Sequence, residues 1–308
     1  MKHGLGLALG GGAARGYAHL GILEHLDESG IPVGCLTGTS MGAVIGGLYA
    51  WFGTAREAID HVQRFLARSD TVNQAVYRRI MESERQPANF LQNLSMFISK
   101  GILYGKTLTA QSAVPQEVVS EAFRMLVPDV DIRETRIPFG AVVSDLVNGE
   151  ELLITGGSLR KALMASSAIP GIYPPVEHED LVLIDGGWTN KIPVNPCFQM
   201  GASKVIAVCV SRELEDTRDF NRGMDIIIRS NAVATHRLGE LQKSSASLSL
   251  YPEVEHIHWA DFSQLAPAIE AGRACADENR AAIRSLALRA KWTALFHRRK
   301  RVIREITI

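Results

Sequence analysis

The sequence predicts an α/β fold built on a mostly parallel sheet. Three observations carry that expectation. Short apolar runs alternate with stretches of helical periodicity at the N-terminal end of the chain. A glycine-rich turn follows each of the first two apolar runs, Gly10-Gly11-Gly12-Ala13-Ala14-Arg15-Gly16 and then Gly38-Thr39-Ser40-Met41-Gly42. The composition, 46% hydrophobic and 21% charged over 308 residues, is that of a globular core. Strand, helix, strand, helix at this spacing requires parallel strands joined by right-handed crossovers.

Taken in order, Gly4–Leu9 reads as a buried strand. A helix follows from about Arg15 to Ser29, with Leu20, Leu23 and Leu26 on one face and Gly30 as its stop. Pro32 opens a second strand, Val33–Thr37. Met41–Phe52 reads as a helix whose Gly42, Gly46 and Gly47 permit close packing on the sheet. Thr54–Val127 is mostly helical in pattern, and within it 90–108 is apolar and interrupted by Gly101 and Gly105, which suits either core helices or a lid. Ile137–Val143 and Glu151–Ile154 pair as a hairpin around Asn148-Gly149. Ser158 caps a helix that ends before Pro170. Leu181–Ile184 is a short strand running into Asp185-Gly186-Gly187, and Lys204–Val210 is another. Gly223–Leu248 reads as a long helix, Tyr251–Ala260 as extended and Ala266–Ala290 as helical.

Net charge is zero, which removes the global case for nucleic acid, although Arg284–Arg304 holds eight Lys or Arg and no acid. Cys35, Cys197, Cys209 and Cys275 lack metal or disulfide spacing and read as buried thiols in a reducing compartment. Leu5–Leu9 is too short for a signal peptide, and no apolar run is long enough to span a bilayer. The expectation is a cytoplasmic protein with peripheral membrane contact open to it. The residues carry no signal for an oligomeric state.

Gly38-Thr39-Ser40-Met41-Gly42 fits the G-x-S-x-G elbow, which holds a serine on a sharp strand-to-helix turn at the ligand edge of a sheet. The run from Gly10 to Gly16 offers backbone N–H groups at the start of a helix, a cradle for developing negative charge. A dinucleotide loop is the competing reading, but Arg15 stands where that motif wants glycine, and no acidic residue ends the next strand. On adjacent parallel strands both turns reach one edge, where Gly11 and Gly12 can offer amides to a carbonyl oxygen. Arg15 either adds charge there or ties loops together. A serine needs a base. His236, His256, His258 and His297 lack a glycine-flanked turn after a strong strand. Asp185 has one, and reads either as a base or as an ordinary Asp-Gly turn residue.

These two turns, with Ala165-Ser166-Ser167-Ala168-Ile169-Pro170 and Asp185-Gly186-Gly187, stand in the order seen in patatin-like phospholipases, and the chain resembles bacterial single-domain members of that family. The resemblance implies a three-layer α/β/α catalytic domain over 5–210. It implies a Ser-Asp dyad, Ser40 as nucleophile and Asp185 as base, with oxyanion donors at Gly11 and Gly12. Gly10, Arg15, Gly16, Gly38, Gly42, Gly186 and Gly187 support them. It implies a lipid ester as substrate and neither cofactor nor metal. The loop departs from many members in spanning five residues from Gly12 to Gly16 rather than four. The remaining 211–308 reads as a mostly helical extension packed on the same domain. Its segment 287–304 carries Leu288, Trp292, Leu295 and Phe296 at helical spacing among basic residues, which suits either a membrane-surface helix or one packed on the core.

Overall fold

The structure is a computed structural model that describes residues 3–68, 111–211, 220, 223–293 and 303–308. The apolar segment 90–108 and most of the basic stretch after Thr293 lie outside the described residues. In chain order the elements are β1 (His3–Leu9), α1 (Ala18–Glu28), β2 (Cys35–Thr39), α2 (Met41–Phe52), α3 (Ala55–Arg68), α4 (Gln116–Leu126), β3 (Phe139–Asp145), β4 (Glu151–Gly156), α5 (Leu159–Ser166), β5 (Val176–His178), β6 (Leu181–Asp185), α6 (Val194–Gln199), β7 (Ala202–Val208), α7 (Gly223–Lys243), β8 (Leu248–Leu250), α8 (Leu265–Glu278), α9 (Arg280–Thr293) and β9 (Arg304–Thr307).

The described strands form one sheet in the order β5-β6-β3-β2-β1-β7-β8, with β4 on the other edge of β3 and β9 outside β4. β1–β2, β1–β7, β2–β3, β7–β8 and β4–β9 are parallel, whereas β3–β4, β3–β6 and β5–β6 are antiparallel. The expected mostly parallel α/β sheet is therefore present. Every residue of β2 and β3 is buried, as strands covered on both faces must be. Side chains alternate accordingly. Leu5, Leu7 and Leu9 of β1 join the larger core beneath α1, α2, α8 and α9, while Ala8 joins a smaller one with Cys35, Val194, Cys197 and Val205 beneath α6. Those two cores make three layers.

Local signals behave as their chemistry dictates. α2 spans Met41–Phe52 and stops at Gly53, which has φ +82°. Ser158 caps α5 by accepting from the Lys161 amide at 3.2 Å. The four cysteines are buried free thiols. Other expectations are corrected. The helix predicted from Arg15 begins as a 3-10 turn, Ala13–Tyr17, before α1. Ala266–Ala290 is two helices broken at Asn279, whose side chain turns back onto the Cys275 carbonyl at 2.8 Å. Tyr251–Ala260 is a series of turns rather than an extended run. Arg304 opens a strand, not a helix end. β9 adds to β4, and the carbonyl of Ile308, just after it, accepts from the Ser158 amide at 2.8 Å. No helix among the described residues is long and apolar enough to cross a membrane.

One register positions the chemistry. β4 fills one edge of β3, pairing Leu153 with Val142 and Leu152 with Val143. The other edge is shared. β2 runs along it in parallel and ends with Thr39 opposite Val142. β6 enters from the opposite direction and ends with Asp185 opposite Val143. The two C-terminal ends therefore meet head-on at consecutive residues of one strand.

Candidate active site

Ser40 follows directly on Thr39, so the head-on meeting of β2 and β6 brings it to Asp185. Its backbone is strained, with φ +55° and ψ −127°, a region an L-residue occupies at a cost of about 1–3 kcal/mol. Local bonds hold it there. The Ser40 carbonyl accepts from Ala43 and Val44 as α2 starts, at 2.8 and 3.0 Å. The Ser40 amide donates to Ser166 Oγ at 3.0 Å, and that hydroxyl donates to the Val142 carbonyl at 2.7 Å. Gly38 and Gly42 are glycines because the chain crosses itself. A Cβ on Gly38 would collide with the Gly42 carbonyl, and one on Gly42 with the Leu9 carbonyl, which presses the elbow onto the end of β1.

Asp185 is 5% exposed and Ser40 9%. The Asp185 carboxylate accepts from the Gly187 amide at 2.7 Å, capping the 3-10 turn Gly186–Trp188, and has the Ser40 side chain beside it. Its own amide donates to Ala168 at 3.0 Å. Gly186 packs so tightly on β3 that a Cβ would strike the Val142 carbonyl. Burial pushes the Asp185 pKa up from 3.8 to about 6, against the pull of the Ser40 side chain, the Gly187 amide and the Lys191 charge. Lys191 is itself lowered, by burial and then by the charge of Arg15.

The glycine loop lies against the elbow. A Cβ on Gly11 would sit 3.2 Å from Ser40 Cβ, and one on Gly16 would strike the Met41 side chain. Gly10 donates to Val208 at 3.0 Å. Gly11 departs from the expected donor role, because its amide is already bonded to the Lys191 carbonyl at 3.1 Å. Among the described residues, no backbone carbonyl accepts from Gly12 or from Met41. Within this loop Ala13 has a positive φ of +48°. Arg15 is buried, and its Nε donates to the Ile257 carbonyl at 2.7 Å, while Ala14 donates to Trp259 at 2.9 Å. Arg15 thus ties this loop to the segment before α8.

Sequence reasoning missed four contributors. Ser166 was in view as part of the Ala165–Pro170 motif, but only the structure gives it the Ser40 amide. His19 is fully buried and holds the Gly10 carbonyl through Nε2 at 2.8 Å, with burial lowering its pKa to about 4, so it is neutral. Lys191 supplies the charge beside Asp185. The fourth is the strap that follows Asp185. Thr37 Oγ1 donates to the Pro193 carbonyl at 2.7 Å, Thr39 Oγ1 to Asn190 at 2.8 Å, and Asn190 Nδ2 to Glu151 Oε1 at 2.6 Å. Short polar side chains in buried strands were the available signal. A cavity of about 500 Å³ lined by Trp51, Phe52, Glu57 and Arg136 lies at the far end of α2, about 18 Å along the helix from Ser40.

Taken together, the elbow places a hydroxyl next to a buried carboxyl, beside the amides of Gly12 and Met41, which have no backbone acceptor among the described residues. These are the parts of a nucleophile, its base and an anion cradle.

Comparison with known proteins supplies the kinship. A family model described as patatin-like phospholipase matches residues 7–198. An uncharacterized NTE family protein of Mycobacterium tuberculosis is 31% identical over 205 residues, which are 67% of this chain and 48% of that protein. A protein named lysophospholipase in Mycosarcoma maydis is 29% identical over 213 residues, 69% of this chain and 10% of that protein. The chain thus spans about half, or less, of the length of these relatives. Among solved structures, VipD from Legionella pneumophila aligns with a TM-score of 0.41 and 13% identity, over 94% of this chain and 67% of that one.

Proposed function

The chain belongs to the patatin-like phospholipase family, and from that premise we propose that it is a serine acyl hydrolase that cleaves fatty-acyl esters of phospholipids or lysophospholipids with a Ser40–Asp185 dyad. The observation that carries the reading is the head-on approach of β2 and β6 on one edge of β3, which pairs a strained, buried serine with a buried carboxyl.

In the proposed cycle Asp185 accepts the Ser40 proton while Ser40 Oγ attacks the ester carbonyl. A carboxylate near 6 is a better base than one near 4 and is still ionised at neutral pH. The tetrahedral oxyanion is received by the amides of Gly12 and Met41, the Gly11 amide being in use. Collapse breaks the ester C–O bond, and the leaving alcohol takes the proton from Asp185. Water then repeats the sequence on the acyl-enzyme and frees the fatty acid. Each oxyanion donor is worth about 3–4 kcal/mol of transition-state stabilisation.

In this proposal 5–210 is the catalytic unit and 211–308, which adds β8 and β9 to its sheet, is an extension packed on it. Cytoplasmic residence is part of the proposal and is consistent with four free thiols. The membrane contact expected through 287–304 becomes a tether rather than a route for substrate. Leu288 and Trp292 are 61% and 75% exposed on α9. The adjacent Ala290 carbonyl accepts from Ser203 Oγ, which also bonds Gly4, so α9 ends at the N-terminal ends of β1 and β7, opposite the Ser40 edge.

The test is fatty-acid release from phospholipids, lysophospholipids, neutral glycerides and short-chain esters. Wild type should turn over at least one of them, and folded Ser40→Ala and Asp185→Asn should turn over none. Full activity in either variant sinks the dyad.

A further inference from the structure

We propose that Gln242, on α7 and outside the segment the family model matches, is a positioning residue that holds the glycine loop against Ser40. The kinetic part of this proposal rests on the hydrolase reading; the structural part does not.

Gln242 lies in the last turn of α7. Its Nε2 donates to the Thr189 carbonyl at 2.7 Å, and its Oε1 accepts from the Lys191 amide at 3.0 Å. A carboxamide has one strong acceptor and two donors, so a single side chain can satisfy the carbonyl and the amide at the two ends of the tripeptide Thr189–Lys191. That tripeptide is the strap behind both catalytic turns. The Asn190 carbonyl takes the Thr39 hydroxyl, one residue before Ser40. The Lys191 carbonyl takes the Gly11 amide. Gly11 in turn lies so near Ser40 that a Cβ on it would come within 3.2 Å of the Ser40 Cβ. A shift of the strap therefore carries Gly11 with it and re-aims the next peptide, that of Gly12.

The anchors of the strap differ in kind. Thr37, Thr39 and Glu151 belong to the central strands β2 and β4, which cannot move without the sheet. Gln242 arrives from a surface helix whose adjacent Leu241 is 70% exposed. Without its carboxamide, the Lys191 amide and Thr189 carbonyl lose their partner, and the strap gains freedom where it meets the oxyanion loop.

The experiment compares Gln242→Ala, Gln242→Glu and Leu241→Ala with wild type, measuring kcat and KM on the preferred ester and hydrogen exchange by peptide. Gln242→Glu keeps an acceptor for Lys191 but turns an acceptor toward the Thr189 carbonyl. Both Gln242 variants should lower kcat on the order of tenfold or more, with KM moving less than about threefold, because misplacement of a catalytic group acts on the transition state. Exchange of peptides covering 10–16 and 189–191 should quicken on the order of tenfold, while 20–26 stays protected. Leu241→Ala should match wild type in every reading. Unchanged exchange at 10–16 in both Gln242 variants, or an unchanged kcat, overturns the proposal. If wild type shows no Ser40-dependent turnover, the hydrolase reading fails, and exchange alone decides the clamp.

Discussion

Replacing the proposed base should make this protein more stable, and only above a defined pH. Asp185 is buried, and its carboxyl stands at about 6 in the fold against 3.8 in a free chain. A carboxyl raised on folding contributes stability that is fully present below 3.8 and is lost as pH rises through about 6. At 1.36 kcal/mol per pH decade, keeping it ionised at neutral pH costs about 3 kcal/mol. Asp185→Asn removes that cost. The amide oxygen can still accept from Gly187, and the amide nitrogen can donate to Ser40. His19 runs the other way. Its pKa falls from 6.5 to about 4, so its contribution is complete above 6.5 and is lost toward 4. In wild type the two opposing titrations nearly cancel between about pH 4 and 6. In Asp185→Asn the histidine is no longer opposed by Asp185, so stability relative to wild type should climb with pH across that interval. Urea unfolding at pH 4, 5, 6, 7 and 8 measures both. The variant should match wild type near pH 4 and exceed it by up to about 3 kcal/mol at pH 8, roughly 5 °C in Tm, while losing turnover. Equal stability at pH 8, or a gain of the same size at pH 4, refutes the reasoning.

Three further outcomes follow from the same geometry. The pH profile of kcat/KM should fall below about pH 6 with the slope of one proton, since Asp185 must be ionised to accept from Ser40; a plateau extending to pH 4 removes Asp185 as the base. Ser166→Ala strands the Ser40 amide and the Val142 carbonyl, so unfolding free energy should drop by about 1–3 kcal/mol and kcat with it; a variant equal to wild type in both measures shows that the elbow needs no such prop. Ser40→Gly should gain about 1 kcal/mol over Ser40→Ala in the same denaturation assay, because only glycine is at ease at φ +55°. A smaller gain than about 0.3 kcal/mol would mean that the elbow stores no such strain.

What the sequence by itself determined is local. The limits of α2, the cap at Ser158, the hairpin of β3 and β4 and the two glycine turns all follow from periodicity, turn chemistry and capping, which act between residues near in the chain. The pairing of Ser40 with Asp185 came from resemblance, not from spacing. Its physical cause is the antiparallel entry of β6 onto the edge of β3 that β2 leaves free, a register between distant segments that no local pattern encodes. The same limit explains the corrections. Gly11 looked like a free donor because its partner, the Lys191 carbonyl, is remote in sequence. Arg15 could not be divided between charge and tether until the Ile257 carbonyl was beside it. Arg304–Thr307 has no strand signature of its own, and is a strand because β4 offers an unpaired edge. The upward shift of the Asp185 pKa comes from burial, which outweighs the pull of its neighbours, and burial is a property of the packed layers rather than of the residue.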